Sequence, residues 1–193
     1  MELKRCRWAD PASELYIAYH DQEWGRPEHD DRKLFEMLIL EGFQAGLSWL
    51  TILKKREAFR RAFDGFDPVI VAGYGPEKLE ALMAAPGIVR NRRKVEAAVQ
   101  NARAFLDIQK EFGTFDRYLW GFTGGQVILN TDDAVRASSE LSDRISEDLK
   151  RRGMKFVGTV IIYSFLQAVG VVNDHETDCW RHPRQNREEA SPG

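Results

Sequence analysis

The sequence predicts an all-α fold, and three observations support this prediction. Apolar residues recur at helical spacing, as at Leu34, Met37 and Leu38, which occupy positions i, i+3 and i+4 of one stripe. Prolines such as Pro68 follow a capping residue, as they do at the first position of a helix. Residues 155–172 are apolar on most faces but interrupted by polar residues, which indicates a central buried helix rather than a membrane span.

The predicted helices follow one another with short connections. The first is capped at Asp30 or Asp31 and ends near Leu40, with Gly42 helping to end it. Residues 44–46 form a tight connection to the second. The later elements, in chain order, are a helix at about residues 48–63, short helices that begin at Pro68 and Pro76, a long helix with the stripe Val95, Val99, Ala102 and Leu106, a short helical piece at 115–122, an extended loop at 124–130, a helix from Ser142 to Arg152, and the central helix.

Bulk properties bound the class of protein. The 193 residues suffice for one large domain or two small lobes. With 43% apolar residues, 30% charged residues and a formal net charge of −2, the chain is typical of a globular protein, and the net charge does not by itself indicate a polyanion partner. We predict one unit over residues 1–180, with two helical lobes as the alternative, and a disordered polar tail over residues 181–193.

The same properties bear on location. The N-terminal residues contain no apolar signal region, and no apolar run reaches the length of a membrane span. Only two cysteines occur, so a disulfide framework is not indicated. We therefore expect a cytoplasmic protein that has no contact with a membrane.

A carboxylate interrupts the apolar stripe of the first predicted helix. The stripe of Leu34, Met37 and Leu38 continues at position i+7, where Glu41 stands. A carboxylate at a helix end can swing into water or pair with an arginine, and near Gly42 this is easy. Alternatively, Glu41 serves a binding site, because carboxylates with shifted pKa values cluster at such sites. Periodicity alone leaves both interpretations open.

The N-terminal third is also rich in aromatic residues. Core packing is the default explanation for any one of them. A pocket built from tryptophan and tyrosine rings and one carboxylate, however, suits a flat, cationic, hydrogen-bond-donating ligand such as an alkylated purine. The residues are Trp8, Tyr16, Tyr19, Trp24, Phe35, Phe43 and Trp49.

Four residues near the two chain ends are candidate metal ligands. Cys6 and His20 belong to the N-terminal segment, and His175 and Cys179 lie at positions i and i+4 of the C-terminal one. Two cysteines and two histidines complete a tetrahedral zinc shell, which is closed and therefore structural. Such an ion would join the two segments. The spacing is not that of an ordinary zinc finger, so spacing alone favours two buried thiols and two unrelated histidines.

Basic residues collect in three clusters, and a solvated helix surface is the default explanation for each. The cluster with Arg90, Arg92 and Lys94 lies between two predicted helices, after a Pro-Gly turn at Gly87. A turn that leads into a helix start presents free N–H groups and a positive dipole end, which suits a DNA phosphate. The arrangement is like a helix-hairpin-helix element whose usual glycines are mostly replaced.

Longer stretches of the sequence resemble one family. They include YHDQEWG, EGFQAGLSWL and GVVNDHETDC, and together the matching stretches run from about Cys6 to Cys179. On these motifs the chain resembles the bacterial DNA-3-methyladenine glycosylase I family of the helix-hairpin-helix glycosylase superfamily. The resemblance implies an all-α fold, one structural zinc ion, double-stranded DNA with alkylated adenine as the substrate, free 3-methyladenine as the product, and a monomer.

The resemblance also implies roles for single residues. Cys6, His20, His175 and Cys179 match the zinc ligands, which reverses the preference drawn from spacing. Glu41 matches the carboxylate of the base pocket. The aromatic residues that match the pocket are Tyr16, Tyr19, Trp49 and, in its wall, Trp8.

From these roles we expect base excision by hydrolysis, which leaves an abasic site without strand cleavage. The target base must be flipped out of the duplex. Gly46 and Leu47 are expected to form a wedge that fills the vacated space. Contacts to the phosphate backbone are expected from the hairpin, at Gly87, Arg90, Arg92 and Lys94.

The expected chemistry needs little machinery. An N3-methylated adenine is cationic while attached to the sugar, so it leaves readily without a strong general acid. Most superfamily members have a catalytic aspartate after the hairpin; here the nearest candidate, Asp107, lies off the apolar stripe and is expected to face water. Glu41 recognises the base, assists the bond cleavage, or does both. The alternative function is a non-catalytic, zinc-joined helical module that binds damaged DNA or an alkylated purine.

Overall fold

Helices account for most of residues 3–183, the part of the chain that the computed structural model describes. In that part there are nine α-helices, one short 3-10 helix at Asp64–Phe66 and two strands of two residues each. The elements are α1 (Glu14–Gln22), α2 (Asp31–Gln44), α3 (Trp49–Ala62), α4 (Pro68–Ala72), α5 (Pro76–Ala84), α6 (Arg92–Phe112), α7 (Phe115–Gly121), β1 (Ile128–Leu129), α8 (Glu140–Arg151), α9 (Thr159–Ala168) and β2 (Val172–Asn173).

Most helices begin at a side chain that caps their first turn. At α2, for example, the Asp30 side chain accepts a hydrogen bond from Lys33 N, and at α3 Ser48 accepts one from Thr51 N. These caps are local, which is why most predicted helix starts lie close to the observed ones. Helix α1 was not predicted. The capping residues are Ser13, Asp30, Ser48, Asp67, Asn91, Thr114 and Ser139.

Helix α2 is longer than predicted, and the predicted end at Gly42 is wrong. The helix continues through Glu41 and Gly42 to Gln44. Gly42 instead faces the segment before α9: a Cβ added there would lie 3.4 Å from the Cβ of Phe156, an ordinary contact distance. That segment thus crosses α2 at Gly42, and Glu41 lies within the helix, three residues before its last residue.

Helix α9 is the buried central helix, and it packs against α2 and α8. It is shorter than the predicted central helix because the chain turns at Gly170 and continues as β2. This strand pairs in parallel with β1, with Ile128 opposite Val172 and Leu129 opposite Asn173. The predicted extended loop at residues 124–130 therefore contains a strand, and the fold is mostly helical with a very small sheet.

The two terminal segments lie side by side at the end of α9. The backbone N–H of Glu28 donates to Val169 O, and the N–H of Trp180 donates to Lys4 O at 2.8 Å. At Gly170, with φ of +72°, a Cβ would lie only 2.2 Å from the carbonyl carbon of Arg26. This close crossing fixes the N-terminal segment against the C-terminal one.

The described residues extend into the predicted tail. His182 is fully buried, and its backbone N–H donates to Cys179 O at 2.8 Å. Packing against the Cys179 turn therefore places it in the folded part, and residues 184–193 of the predicted tail lie outside the described residues. Within residues 3–183, no helix combines the length and the apolar character needed to cross a bilayer.

Replacing Gly170 by alanine tests the backbone crossing. Gly170→Ala adds a strained left-handed residue and a clash with backbone atoms that cannot swing away, so we expect a loss of on the order of 4 kcal/mol or more in unfolding free energy. Gly124 is the matched control because its φ is +62° but a Cβ there would meet nothing within 4 Å. Gly124→Ala should cost only about 1–2 kcal/mol. Equal losses in urea unfolding would contradict the crossing.

Candidate active site and metal centre

Glu41 is buried in α2 without a partner. Its side chain is 3% exposed, and Oε2 accepts no hydrogen bond from the described residues. Because burial penalises the charged carboxylate, its pKa is raised to about 8. Since α2 continues past Glu41, the carboxylate neither swings into water nor pairs with an arginine, so that interpretation of the sequence is wrong.

The four predicted pocket aromatics form a continuous group. Tyr19 is buried, and its pKa is raised first by that burial and then by the charge of the neighbouring Glu41. The ring of Tyr19 lies 5.5 Å from the ring of Trp49 and 6.1 Å from that of Trp8. Trp8 in turn contacts Tyr16 edge-on at 5.6 Å. Glu41 is therefore next to an aromatic surface built from α1, the start of α3 and the N-terminal segment.

Polar atoms without partners concentrate in this group. Buried side-chain nitrogen or oxygen atoms without a hydrogen bond occur at four residues of the described chain, and three of them are Trp8 Nε1, Trp49 Nε1 and Glu41 Oε2. Each such atom costs about 1–3 kcal/mol unless something binds it. Two donors and one acceptor beside flat aromatic rings indicate a site for a flat polar ligand.

Tyr16 has a second contact that orders the pocket. Its hydroxyl oxygen accepts a hydrogen bond from the backbone N–H of Leu50 at 3.1 Å. Leu50 lies in the first turn of α3, directly after Trp49, where backbone N–H groups lack partners within the helix. Tyr16 thereby fixes α1 to the start of α3 and holds Trp49 in place.

A separate cavity, not lined by Glu41, has charged walls whose groups are paired with one another. It has a volume of about 610 Å³, and its charged walls include Glu23 with Arg56 and Glu36 with Arg60. These pairs are joined at 2.6–2.8 Å, so their charges satisfy one another. Unlike the Glu41 group, this cavity shows no unpartnered buried polar atom.

The turn between α2 and α3 presents an apolar side chain to solvent. Gly46 has φ of +83°, and a Cβ added there would meet nothing within 4 Å. Leu47 is 41% exposed although it is a large apolar residue. The turn precedes α3, whose cap is Ser48. The two predicted wedge residues therefore lie at an exposed edge, three and two residues before Trp49.

Helices α5 and α6 and the loop between them form the predicted hairpin. Gly87 has φ of +85°, and a Cβ there would lie 2.8 Å from the Cβ of Ala58 in α3. Arg90 is exposed and has no ion-pair partner among residues 3–183. Arg92 is exposed and pairs with Glu80 at 2.9 Å. The hairpin is thus held against α3 and presents two arginines to solvent.

Lys94 does not belong to this exposed set, and its predicted contact with DNA is not supported by its position. It is 7% exposed, and its ammonium group donates to Phe43 O at 2.8 Å and to Ala45 O at 2.6 Å. The side chain therefore points back to the end of α2 instead of outward to a phosphate.

The four candidate metal ligands come together at one buried point. Their ligand atoms all lie within 4.8 Å of one another. Cys6 Sγ is 3.4 Å from His175 Nδ1, and Cys179 Sγ is 3.4 Å from His20 Nε2. A tetrahedral zinc ion with ordinary Zn–S and Zn–N bonds would hold S and N atoms about 3.5 Å apart. The donor set and its spacing therefore fit a metal ion.

Neighbouring groups orient the two histidines. The outer nitrogen of His20, Nδ1, lies 2.7 Å from a carboxylate oxygen of Asp21. The outer nitrogen of His175, Nε2, lies 3.2 Å from the carbonyl oxygen of Trp24. Such acceptors fix the tautomer that turns the free nitrogen toward a metal. The pKa of the Cys179 thiol is lowered by hydrogen bonds from Cys6, His175 and His20, whereas the pKa of the Cys6 thiol is raised by its hydrogen bond with Cys179 and by burial.

The metal centre and the aromatic group share a wall. Trp8 lies 5.3 Å from the ring of His20 and 5.0 Å from the ring of Trp24. Trp24 contacts His175 edge-on at 4.7 Å. The position of Trp8 at the pocket therefore depends on the residues that meet at the metal centre.

The aromatic group around Glu41 and the metal centre agree with the comparison with known proteins. A model of the methyladenine glycosylase family matches residues 8–182. The chain belongs to the methyladenine glycosylase family. Asp107 on α6 faces water, as expected from the sequence: its side chain is 71% exposed.

Individual relatives of this methyladenine glycosylase cover nearly the whole chain. DNA-3-methyladenine glycosylase 1 of Escherichia coli K12 is 49% identical over 186 residues, 94% of this chain and 98% of the relative. A crystal structure of 3-methyladenine DNA glycosylase I, 49% identical, matches with a TM-score of 0.89 and covers 93% of this chain and 100% of that one. A tyrosine-to-phenylalanine variant of such an enzyme, in complex with 3-methyladenine, is 38% identical, with a TM-score of 0.87 and coverage of 91% and 95%.

Two residues of the site were missed from the sequence. Asp21 orients His20, and Trp24 supplies both a ring and a carbonyl group to the metal centre. Both follow His20 within the YHDQEWG motif. For Asp21, its position directly after the candidate ligand His20 was a usable signal. Trp24 was noted only as one aromatic residue among several.

The raised pKa of Glu41 predicts how stability depends on pH. The fold favours the protonated carboxyl group, so the Glu41 contribution to stability falls as pH rises from the ordinary pKa of 4.5 to about 8 and then levels off. Glu41→Gln removes this titration. We expect the unfolding free energy of the variant, relative to the native protein, to increase by on the order of 4 kcal/mol from pH 4.5 to 8. A difference that does not change with pH would contradict the unpartnered burial.

Proposed function

We propose that this methyladenine glycosylase removes 3-methyladenine from alkylated double-stranded DNA. The observation that carries the proposal is the unpartnered carboxylate of Glu41 beside the rings of Tyr19 and Trp49. A flipped N3-methylated adenine has a flat cationic ring and an exocyclic amine. The rings suit stacking and cation–π attraction, and Glu41 Oε2 suits the amine as an acceptor.

The pocket distinguishes a cationic base from a neutral one. In the empty pocket, burial keeps Glu41 largely protonated near neutral pH, since its pKa is about 8. A positive base nearby favours the charged carboxylate. An unmodified adenine carries no such charge, so its binding beside Glu41 is less favourable in free energy. We propose that this difference selects the alkylated base.

The bond cleavage follows from the charge of the base. The bond from the sugar to the base breaks, and its electron pair moves to the base, which leaves as neutral 3-methyladenine. Water attacks the oxocarbenium-like sugar, loses a proton and leaves an abasic site. We propose that Glu41 accepts a hydrogen bond from the exocyclic amine and that its carboxylate stabilises the positive charge that develops on the sugar. Strand cleavage would require a lysine amine that forms a Schiff base with the sugar. Lys94, the lysine beside the turn, is not free to do so, because its ammonium group donates to two carbonyls. We therefore propose a monofunctional enzyme without strand cleavage.

The exposed elements beside the pocket suit a bent duplex. We propose that Leu47 enters the space left by the flipped base and that Gly46 permits the turn that presents it. The N-terminus of α6 and the side chains of Arg90 and Arg92 face the phosphate backbone. This arrangement places the wedge next to Trp49, so flipping and capture of the base occur at one edge of the protein.

We propose that the metal centre holds one zinc ion. The four donors are two cysteines and two histidines, which close a tetrahedral shell and leave no position for substrate. A bound ion would supply structural stability, because it joins the terminal segments that position Trp8. The pocket is complete within one chain, and both cysteines serve the centre as thiolates, so we further propose a monomer in the reducing cytoplasm.

An excision assay tests the activity and the role of Glu41 together. We expect the native protein to release 3-methyladenine from methylated duplex DNA, and Glu41→Gln to lower the single-turnover rate roughly 10- to 100-fold, the cost of a charged hydrogen bond. Asp107→Asn is the matched control, since it makes the same change at an exposed position, and it should retain the native rate. Binding without release by the native protein would instead establish the non-catalytic binding module.

Removal of the metal tests the structural role of the centre. We expect about one zinc ion per chain by elemental analysis. Chelation should abolish the cooperative unfolding transition and the helical circular dichroism along with activity, because binding energy of this kind is folding energy. Retained fold and stability with loss of excision would contradict the structural role.

A further inference from the structure

Lys94 connects the hairpin to the end of the helix that carries Glu41. Its Cα lies in the first turn of α6, and its ammonium group donates to Phe43 O at 2.8 Å and to Ala45 O at 2.6 Å. Phe43 is in the last turn of α2, and Ala45 is the first residue after it. One buried side chain thus joins two elements that are far apart in sequence.

Lys94 donates hydrogen bonds at the C-terminal end of α2. The last carbonyl groups of a helix lack partners within it, and the negative end of the helix dipole favours a cation there. The last turn of α2 contains no basic residue of its own. Lys94 supplies both the hydrogen bonds and the charge, and the ring of Phe156 covers it at 5.9 Å.

The two bonded carbonyls stand between the functional parts of the site. Glu41 lies two residues before Phe43, and Leu47 lies two residues after Ala45. Lys94 therefore holds the short segment that links the pocket carboxylate to the exposed turn. Its own helix begins at Arg92, where the hairpin presents its N–H groups. A phosphate that moves the hairpin would therefore also move this segment, through the hydrogen bonds of Lys94.

We infer that Lys94 is a positioning residue that ties the turn of Leu47 to the DNA-binding hairpin, so that the wedge is correctly placed when the hairpin holds the backbone. The inference rests on the proposed glycosylase activity. A direct phosphate contact is not compatible with its geometry, because the side chain is 7% exposed and is directed to two carbonyls.

Lys94→Met tests this role because methionine keeps an unbranched apolar side chain and removes the ammonium group. We expect the single-turnover excision rate at saturating methylated duplex to fall at least roughly tenfold, while the affinity for free 3-methyladenine changes less than about threefold. The dependence of log K for duplex binding on log salt concentration should keep its slope. Arg90→Met is the comparison variant, and its slope should become shallower by about 0.9, as expected on loss of one phosphate contact.

A double-variant cycle identifies the path of the effect. If Lys94 acts through the turn, Lys94→Met and Leu47→Ala together should lower the rate no more than the worse single variant does. Losses that multiply would overturn the inference. If the methionine variant does not fold, Lys94→Gln replaces it, because glutamine removes the charge but keeps an N–H donor group, and the same outcomes apply.

Other outcomes are equally decisive. An unchanged excision rate, a shallower salt slope for Lys94→Met, or an equal loss of affinity for the free base would each overturn the positioning role, the last because it would show general damage to the pocket. Absence of excision by the native protein would refute the proposed function instead, so the two failures are distinguishable.

Discussion

The burial of one carboxylate without a partner is the constraint on which this site depends. Placing Glu41 inside α2 costs free energy that the rest of the fold must offset, since a buried charge is expensive and even the neutral acid leaves a polar group without a hydrogen bond. The surrounding structure keeps the carboxylate there. Helix α2 continues past it to Gln44, the residue is only 3% exposed, and Tyr19 lies near enough for the charge of Glu41 to raise the Tyr19 pKa. The site is thus prepared for a ligand before one arrives.

The aromatic side of the pocket depends on the meeting of the chain ends. Trp8 belongs to the same short segment as Cys6, and Trp24 lies beside His175. Tyr16 connects this wall to α3 through the backbone of Leu50. Binding energy from stacking is available only while these rings are held apart at the correct spacing. Stability of the terminal segments and affinity for the base are therefore linked properties of one wall.

The parts of the fold that depend on local signals were predictable from the sequence, and the parts that depend on distant contacts were not. Asp30 and Ser48 cap helices through residues three positions away, so these starts were found. The mistake at Gly42 arose because its partner, Phe156, is remote in sequence. Lys94 was misplaced for the same reason: a basic residue beside exposed arginines gives no sign of where its side chain turns. The convergence of Cys6 and His20 with His175 and Cys179 came from resemblance, because spacing alone favoured the opposite.

The joining of the two chain ends also has a consequence for the unfolded protein. A contact between Cys6 and His175 spans 169 residues, nearly the full length of the chain. A metal ion that holds this contact closes the polypeptide into a ring, and closing a loop of that size removes on the order of 5 kcal/mol of chain entropy from the disordered ensemble. Neither the Cys6 segment nor the Cys179 segment can then detach without opening the ring. The centre thus makes these two segments a single cooperative unit, although they are the last to meet during synthesis.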